Sequence, residues 1–310
     1  MVLRKDGMER VVPATVFVNP SAGRGGAGRK VARVLEAFAR QNYSANFVES
    51  TSAENLRCSV RAAIDDGCAT LIALGGDGTA HSVANEAIGH EVRVGIIPAG
   101  GGNDFAAALG IPKNVGEAVG TIVRGECRAV DVVRVRSASG EDSVYLGGGG
   151  MGLDVESVRF ASGTFSRWPG KLRYLASAIA ALRGFKGVEI EMSFPESDLP
   201  KIERTVLLAA VLNTPTFGGG LRLAPEARVD DGLLDVVIIE MLSVLEALAL
   251  IPRLLISGEL RTQRAKQVRG AKVKLTSPQK TWFQGDGELL GVPPMEIEAL
   301  PGALSVLAPK

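Results

Sequence analysis

The chain has little of what soft-metal sites and nucleophilic triads are built from: two histidines, His81 and His90, and three cysteines, Cys58, Cys68 and Cys127, in 310 residues. So few histidines leave little for a histidine-rich zinc centre or a Ser-His-Asp triad. The cysteines are odd in number and scattered, without metal-ligand or redox spacing, and read as small core residues in a reducing compartment. Any bound metal is therefore expected to be a hard cation held by oxygens. No apolar run is long enough to span a bilayer, and no charged-then-apolar start resembles a secretion signal, so a cytoplasmic protein is expected. A net charge of +1 gives no reason to expect a nucleic-acid binder.

What is present describes a globular chain, 46% apolar and 22% charged, long enough for two cores. Residues 11–126 read as alternating strands (14–18, 45–49, 70–74, 92–97) and helices (29–40, 53–64, 79–88, 115–124). That alternation predicts a parallel, doubly wound α/β domain, whose ligands lie beyond the carboxyl ends of the strands. Residues 127–310 change to β-rich text, with strands expected at 130–136, 143–146, 188–194, 205–212, 235–240, 271–275 and 281–283. Helices are expected at 171–183 and 243–256. This predicts a second, antiparallel, sandwich-like domain, whose last residues can pack back on the first, and an active-site cleft between the two.

Three glycine turns follow three of the early strands. Leu74-Gly75-Gly76-Asp77-Gly78-Thr79 follows the run 69–73, Pro98-Ala99-Gly100-Gly101-Gly102-Asn103-Asp104-Phe105-Ala106 follows 92–97, and Asn19-Pro20-Ser21-Ala22-Gly23-Arg24-Gly25-Gly26-Ala27-Gly28 follows 14–18. Each places glycines where backbone must approach a bulky anion, and two add a carboxylate; Asp77 alone could equally be a helix N-cap. Gly23 to Gly28 also satisfies the dinucleotide fingerprint, with Glu49 downstream, so an NAD(P)-dependent oxidoreductase is an alternative. Against it, Asn19-Pro20-Ser21-Ala22 intervenes after the strand, and the other two turns have no task in such an enzyme. A Walker A motif fails, because Arg29 and Lys30 stand where Lys and a hydroxyl residue are required.

Together, Asn19-Pro20-Ser21-Ala22-Gly23, Gly75-Gly76-Asp77-Gly78-Thr79 and Gly100-Gly101-Gly102-Asn103-Asp104-Phe105-Ala106 resemble the nucleotide motifs of the diacylglycerol kinase catalytic-domain family, which includes sphingosine and ceramide kinases. Pro225 to Asp235 is similar to that family's acidic turn, and Gly285-Asp286-Gly287-Glu288 to its late Asp-Gly-Glu motif. The resemblance spans nearly the whole chain and implies an ATP-dependent lipid kinase, with diacylglycerol the leading acceptor and phosphatidic acid the product. It implies that Asn19, Pro20, Ser21, Ala22, Gly23, Thr51, Gly76, Asp77, Gly78, Thr79, Ala80, His81 and Ser82 contact ATP, with Gly101, Asn103, Asp104 and Glu288 completing the nucleotide site. Asp286 would accept the proton of the lipid hydroxyl, and a structural Mg2+ would be held by the Asp231 carboxylate and the carbonyls of Arg228 and Leu233. An ordinary Asp-Gly hairpin is the alternative for that turn. One departure is Gly101, where family members often carry threonine, so a hydroxyl that could contact ATP is missing.

A lipid hydroxyl is too weak an acid to ionise at neutral pH, so a carboxylate within hydrogen-bond reach must assist, and Asp286 is flanked by glycines that leave it accessible. The phosphoryl group itself requires positioning and charge neutralisation, which magnesium and glycine-loop amides supply. The apolar stretch 242–251, the basic residues between Arg253 and Lys274, and Trp168 invite a peripheral contact with the inner membrane surface. A buried helix and a solvated charged face explain the same residues. NAD kinase, another lipid kinase and a non-catalytic lipid- or nucleotide-binding protein remain alternatives, and a homodimer is compatible with the sequence.

Overall fold

The computed structural model describes residues 14–138, 140, 142–153, 155, 180–182, 184–195, 197–260 and 262–309. The first half alternates β1 (Ala14–Val18), α1 (Ala22–Arg40), β2 (Ala45–Glu49), α2 (Ala53–Asp65), β3 (Thr70–Gly75), α3 (Asp77–Ala87) and β4 (Arg93–Pro98), then α4 (Asp104–Ala108) and α5 (Val115–Arg124). The four strands pair in parallel in the order β2-β1-β3-β4. Strands β1 and β3 are buried along their full lengths, which their continuous apolar sequences require, whereas β2 is an edge and partly exposed. Ser52 caps α2 by accepting from the Asn55 N–H, Asn114 caps α5 through the Glu117 N–H, and Gly125 in the left-handed region (φ 72°) ends α5.

Glycines 23 to 28 lie inside α1 rather than in a loop before it, so the expected helix at 29–40 begins at Ala22. Its first turns are irregular, with Gly23 at φ 61° and Gly25 at φ 80°. Glycine is needed at position 23 because a Cβ there would lie 2.1 Å from the Ala99 carbonyl oxygen. Close approach of two turns, and not a dinucleotide loop, accounts for it.

The second half is β-rich: β5 (Cys127–Ser137), β6 (Asp142–Tyr145), β7 (Gly148–Gly152), β8 (Val188–Ser193), β9 (Ile202–Leu212), β10 (Thr216–Phe217), β11 (Leu221–Arg222) and β12 (Leu234–Glu240). After α6 (Val244–Ser257) come β13 (Ala265–Gly270), β14 (Lys272–Thr276), β15 (Phe283–Gly285), β16 (Glu288–Gly291) and β17 (Met295–Leu307). Its pairings are antiparallel, with β9 bonded to β7, β8 and β12. Strand β17 joins the halves: it runs antiparallel to β5 through an irregularity between Leu300 and Leu304, and Val306 then pairs in parallel with Val94 of β4. Leu304, Val306 and Leu307 accordingly lie in the core of the α/β half. Each fully buried aliphatic side chain of this kind stabilises the fold by roughly 1.5–3 kcal/mol.

Of the three cysteines only Cys68 is buried; Cys58 and Cys127 are exposed, which corrects the reading of all three as core residues. Helix 171–183 lies outside the described residues except for Ala180, Ala181 and Leu182, and Trp168 lies outside them altogether. The basic stretch is largely paired. Arg253 faces Glu259 at 3.8 Å, Arg264 Glu246 at 2.9 Å and Lys272 Glu296 at 2.6 Å, while Arg269 reaches the buried Asp235 at 2.7 Å. Strand β13 carries Lys266 and Arg269, which are three residues apart and so lie on opposite faces of the sheet, and of the two only Arg269 stands opposite an acid, Asp235.

Candidate active site

The three early turns meet in backbone contact at the carboxyl end of the parallel strands. The Asn19 N–H donates to the Leu74 carbonyl (3.4 Å), and the Asn19 side chain accepts from the Ser21 N–H (3.2 Å). A Cβ on Gly100 would lie 2.4 Å from the Gly76 Cα, so the Gly100 turn could not approach the Gly76 turn as it does with a larger residue there. Asn103, in the left-handed region (φ 62°), closes its own turn: its amide accepts from the Gly100 N–H (3.0 Å) and donates to the Gly100 carbonyl (2.9 Å). The Asn103 N–H in turn donates to Asp77 Oδ2 at 2.7 Å. Burial pushes the Asp77 carboxyl upward, and Asp104 and Asp286 add to this against the Asn103 hydrogen bond.

From the second half, Asp286 stands at the β15–β16 turn with φ 50°. Its Oδ2 accepts from the Leu146 N–H (2.7 Å), and its Oδ1 from the N–H groups of Gly147 (3.0 Å) and Gly148 (3.2 Å). His81 Nδ1 lies 3.1 Å from Oδ2. Burial alone would raise this carboxyl; hydrogen bonds from His81 and the backbone amides overcome it and hold Asp286 below the usual carboxylate range. His81 is itself 2% exposed, and its Nε2 lies 3.8 Å from Glu288 Oε2, which Arg57 Nη2 of α2 meets at 3.1 Å.

Asp104 ties the halves together, accepting from the Thr216 hydroxyl (2.9 Å) and the Gly219 N–H (2.8 Å). The tie residues line a cleft of about 1020 Å3 among the described residues. Of the expected nucleotide residues, Asn19, Ala22, Gly23, Gly76, Asp77, Gly78, Thr79, Ser82, Gly101, Asp104 and Glu288 line it, as does Asp286. Pro20, Ser21, Thr51, Ala80, His81 and Asn103 do not; Ser52, Ala53 and Leu56 stand on the wall where Thr51 was expected. The cleft continues into an apolar lobe that includes Leu207, Phe217, Leu223, Ile239, Leu250 and Leu260.

The acidic turn is held from elsewhere. Buried Asp131 of β5 accepts from the Gly232 N–H (2.7 Å) and from the Gly302 N–H of β17 (2.9 Å). Asp230 pairs with Arg128 (2.8 Å) and Arg228 (3.3 Å), and the Arg128 hydrogen bond holds its carboxyl below the usual range. Asp231 Oδ1 accepts from the Leu233 N–H (3.1 Å), an Asx turn. Among the described residues no group of three or more His, Cys, Asp or Glu side chains is placed to hold a metal.

The sequence reading missed three contributors. The run Gly147-Gly148-Gly149-Gly150 supplies the amides around Asp286, Gly218-Gly219-Gly220 supplies the tie to Asp104, and Arg57 holds Glu288. The two glycine runs were visible as text, but nothing local says which carboxylate they receive. Arg57 is an ordinary helix residue until α2 is docked.

A parallel α/β half presenting three glycine turns, closed by a β-rich half that brings a carboxylate to the same cleft, defines a two-domain nucleotide-dependent phosphotransferase. Residues 13–135 match the diacylglycerol kinase catalytic domain and residues 149–308 the YegS C-terminal NAD kinase beta sandwich-like domain. The chain is 28% identical over 298 residues to a diacylglycerol kinase of Mycobacterium tuberculosis, covering 96% of this chain and 95% of that one. It is 32% identical over 261 residues to a Stenotrophomonas maltophilia protein named "Probable lipid kinase YegS-like", covering 81% and 82% of the two chains. A crystal structure of a diacylglycerol kinase from Bacillus anthracis superimposes with a TM-score of 0.72 at 19% identity, over 97% of this chain and 98% of that one. The chain belongs to the diacylglycerol kinase catalytic-domain family and is a lipid kinase.

Proposed function

We propose that the protein transfers the γ-phosphoryl group of magnesium-bound ATP to the free hydroxyl of diacylglycerol, yielding phosphatidic acid. The observation that carries this reading is the continuity of the cleft, whose wall runs from the glycine turns to the apolar lobe with Asp286 also on it. A pocket of this size with an apolar lobe suits acyl chains, and the turns suit phosphates. The apolar lobe also favours a lipid acceptor over the polar dinucleotide that an NAD kinase takes.

In this reading the amides and small residues of the Asn19, Gly76 and Gly101 turns receive the triphosphate. Asp77 and Asn103 hold two of those turns in register, and Asp104, through Thr216 and Gly219, holds the second half over the nucleotide. Asp286 takes the hydroxyl proton as the lipid oxygen bonds to phosphorus and the bond to the ADP oxygen breaks. At the acidic turn, Asp231 with the carbonyls of Arg228 and Leu233 offers the hard oxygen donors that magnesium takes, and the Asx turn leaves Oδ2 of Asp231 for it. An ion there would brace the β5–β17 junction through Asp131. Peripheral membrane contact would come from α6, where Leu245 and Ile256 are 78% and 88% exposed.

The test is turnover with radiolabelled ATP and magnesium against a panel of diacylglycerols, sphingoid bases, glycerol and NAD. The reading expects label in phosphatidic acid. Label in NADP, or ATP binding without transfer to any acceptor, would sink it.

A further inference from the structure

Asp286 has four hydrogen-bond donors around a carboxylate that offers about four acceptor positions. Three are backbone N–H groups of Leu146, Gly147 and Gly148, which the start of β7 fixes in place. The fourth is His81, the one side chain among them. A hydroxyl cannot hand its proton to Asp286 unless an acceptor position is open, and His81 is the partner whose donor can be withdrawn, by titration together with movement of its remaining proton to Nε2.

His81 stands between two carboxylates that come from the other half of the chain. Nδ1 meets Asp286 Oδ2 at 3.1 Å and Nε2 faces Glu288 Oε2 at 3.8 Å. Arg57 approaches Glu288 from α2, and Tyr145 of β6 lies behind Asp286. Only the doubly protonated ring can donate toward both carboxylates. The singly protonated ring still donates to Asp286 at 3.1 Å while its hydrogen sits on Nδ1; only with the hydrogen on Nε2, which is 3.8 Å from Glu288 Oε2 and too far for a hydrogen bond, does a bare Nδ1 face Asp286. Although burial works against a charged ring, Asp286 and Glu288 outweigh it, so His81 keeps its proton to higher pH than an ordinary histidine.

We propose that His81 is a positioning and proton-storing residue behind Asp286, resting on the lipid-kinase reading above: the enzyme turns over when His81 is singly protonated and is blocked when it is doubly protonated. In the open state, with the remaining ring proton on Nε2, one acceptor position of Asp286 Oδ2 is unfilled. The lipid oxygen bonds to phosphorus, the phosphorus–oxygen bond to ADP breaks, and the hydroxyl proton goes to Asp286. Asp286 passes it to His81 Nδ1, and Nε2 releases its own proton toward Glu288, which is 37% exposed and opens the way to solvent. The balance is one proton released per phosphoryl group transferred. His81 does not line the cleft, so it acts through Asp286 alone.

The experiment is the pH dependence of kcat at saturating ATP and lipid for the wild type, His81→Asn and Glu288→Gln, with histidine ring NMR on the same proteins. The chain has only two histidines, so a His90→Asn variant assigns the two ring resonances. In the wild type, kcat should fall about tenfold per pH unit on the acid side of one inflection, as for a single proton, and the His81 resonance should titrate at that inflection, above the ordinary histidine value. His81→Asn, which keeps a donor but cannot store a proton, should be slower and lose the inflection. Glu288→Gln should move both the inflection and the His81 titration to lower pH. A His81→Asn enzyme that retains the wild-type inflection overturns the proposal and leaves the lipid-kinase reading intact. So does a His81 resonance that titrates at or below the ordinary histidine value, a result that stands even where the asparagine variant does not fold. A wild type that phosphorylates no lipid at any pH removes the reading and the proposal together.

Discussion

Asp286 shows how much of a residue's chemistry is set by what surrounds it. From its motif alone, Asp286→Asn is a mild change that preserves size; in the folded protein both carboxylate oxygens accept from N–H donors. An asparagine must aim its NH2 at one of those pairs. Beyond a turnover loss of about a hundredfold to ten-thousandfold, the variant should therefore lose about 1–3 kcal/mol of stability per donor left unpaired. Turnover with the best lipid, ATP calorimetry and urea unfolding on one preparation check this. ATP affinity near wild type is expected, and its collapse would move Asp286 into the nucleotide site. Gly149 makes a similar point, since a Cβ there would meet Phe283 at 2.7 Å and the Gln284 carbonyl oxygen at 2.9 Å. Gly149→Ala should cost about 1–3 kcal/mol, the usual range for overpacking. An unchanged urea midpoint would show that β7 has room to move.

At the scale of elements, α6 divides its side chains. Ala247 and Leu250 line the cleft, while Leu245 and Ile256 face outward. Replacing Leu245 and Ile256 together by serine should leave the melting temperature nearly unchanged and reduce sedimentation with anionic vesicles several-fold, because exposed apolar area adds to surface binding roughly in proportion to what it buries. Equal sedimentation of the two proteins would remove α6 from the membrane contact. The acidic turn makes a comparable prediction about metal. If Asp231 holds an ion only in the native state, magnesium should raise the melting temperature of the wild type and not that of Asp231→Asn, by mass action. Identical melting of both proteins with and without magnesium would favour the plain hairpin with its Asx bond to Leu233.

For the molecule as a whole, the active site exists only while the two halves stay docked. Asp104 is the clearest tie, bonded to the Thr216 hydroxyl and the Gly219 N–H from a residue that opens α4. Asp104→Ala should leave each half folded and loosen the cleft, raising KM for ATP and lipid together more than it lowers kcat. Faster limited proteolysis near Gly218 to Gly220 should accompany this. A kcat-only effect would mean that Asp104 acts on the chemistry and not on closure. The late strand β17 constrains the same relation, because it pairs with β5 and β14 and also reaches β4. Motion between the halves therefore has to be small near β17 and larger at the mouth of the cleft.

Much of this was legible in the residues. Short apolar runs alternating with helix-forming stretches mark β1 to β4, since buried parallel strands are apolar on both faces, and the expected helices 53–64 and 115–124 agree closely with α2 and α5. The glycine turns were likewise readable, because only close backbone approach accounts for so many glycines after strands. Long-range geometry was not. The helical setting of Gly23 to Gly28 depends on Ala99, some seventy residues away, and β17 is hidden by Pro301 and Gly302, which sit at its irregularity and resemble a turn. The cradle around Asp286, the docking of Arg57 on Glu288 and the placing of His81 between two carboxylates bring together residues more than a hundred positions apart. Sequence specifies which groups can accept, donate or titrate; which of them meet, and so which one is basic enough to act, is decided by burial and hydrogen bonding in the folded chain.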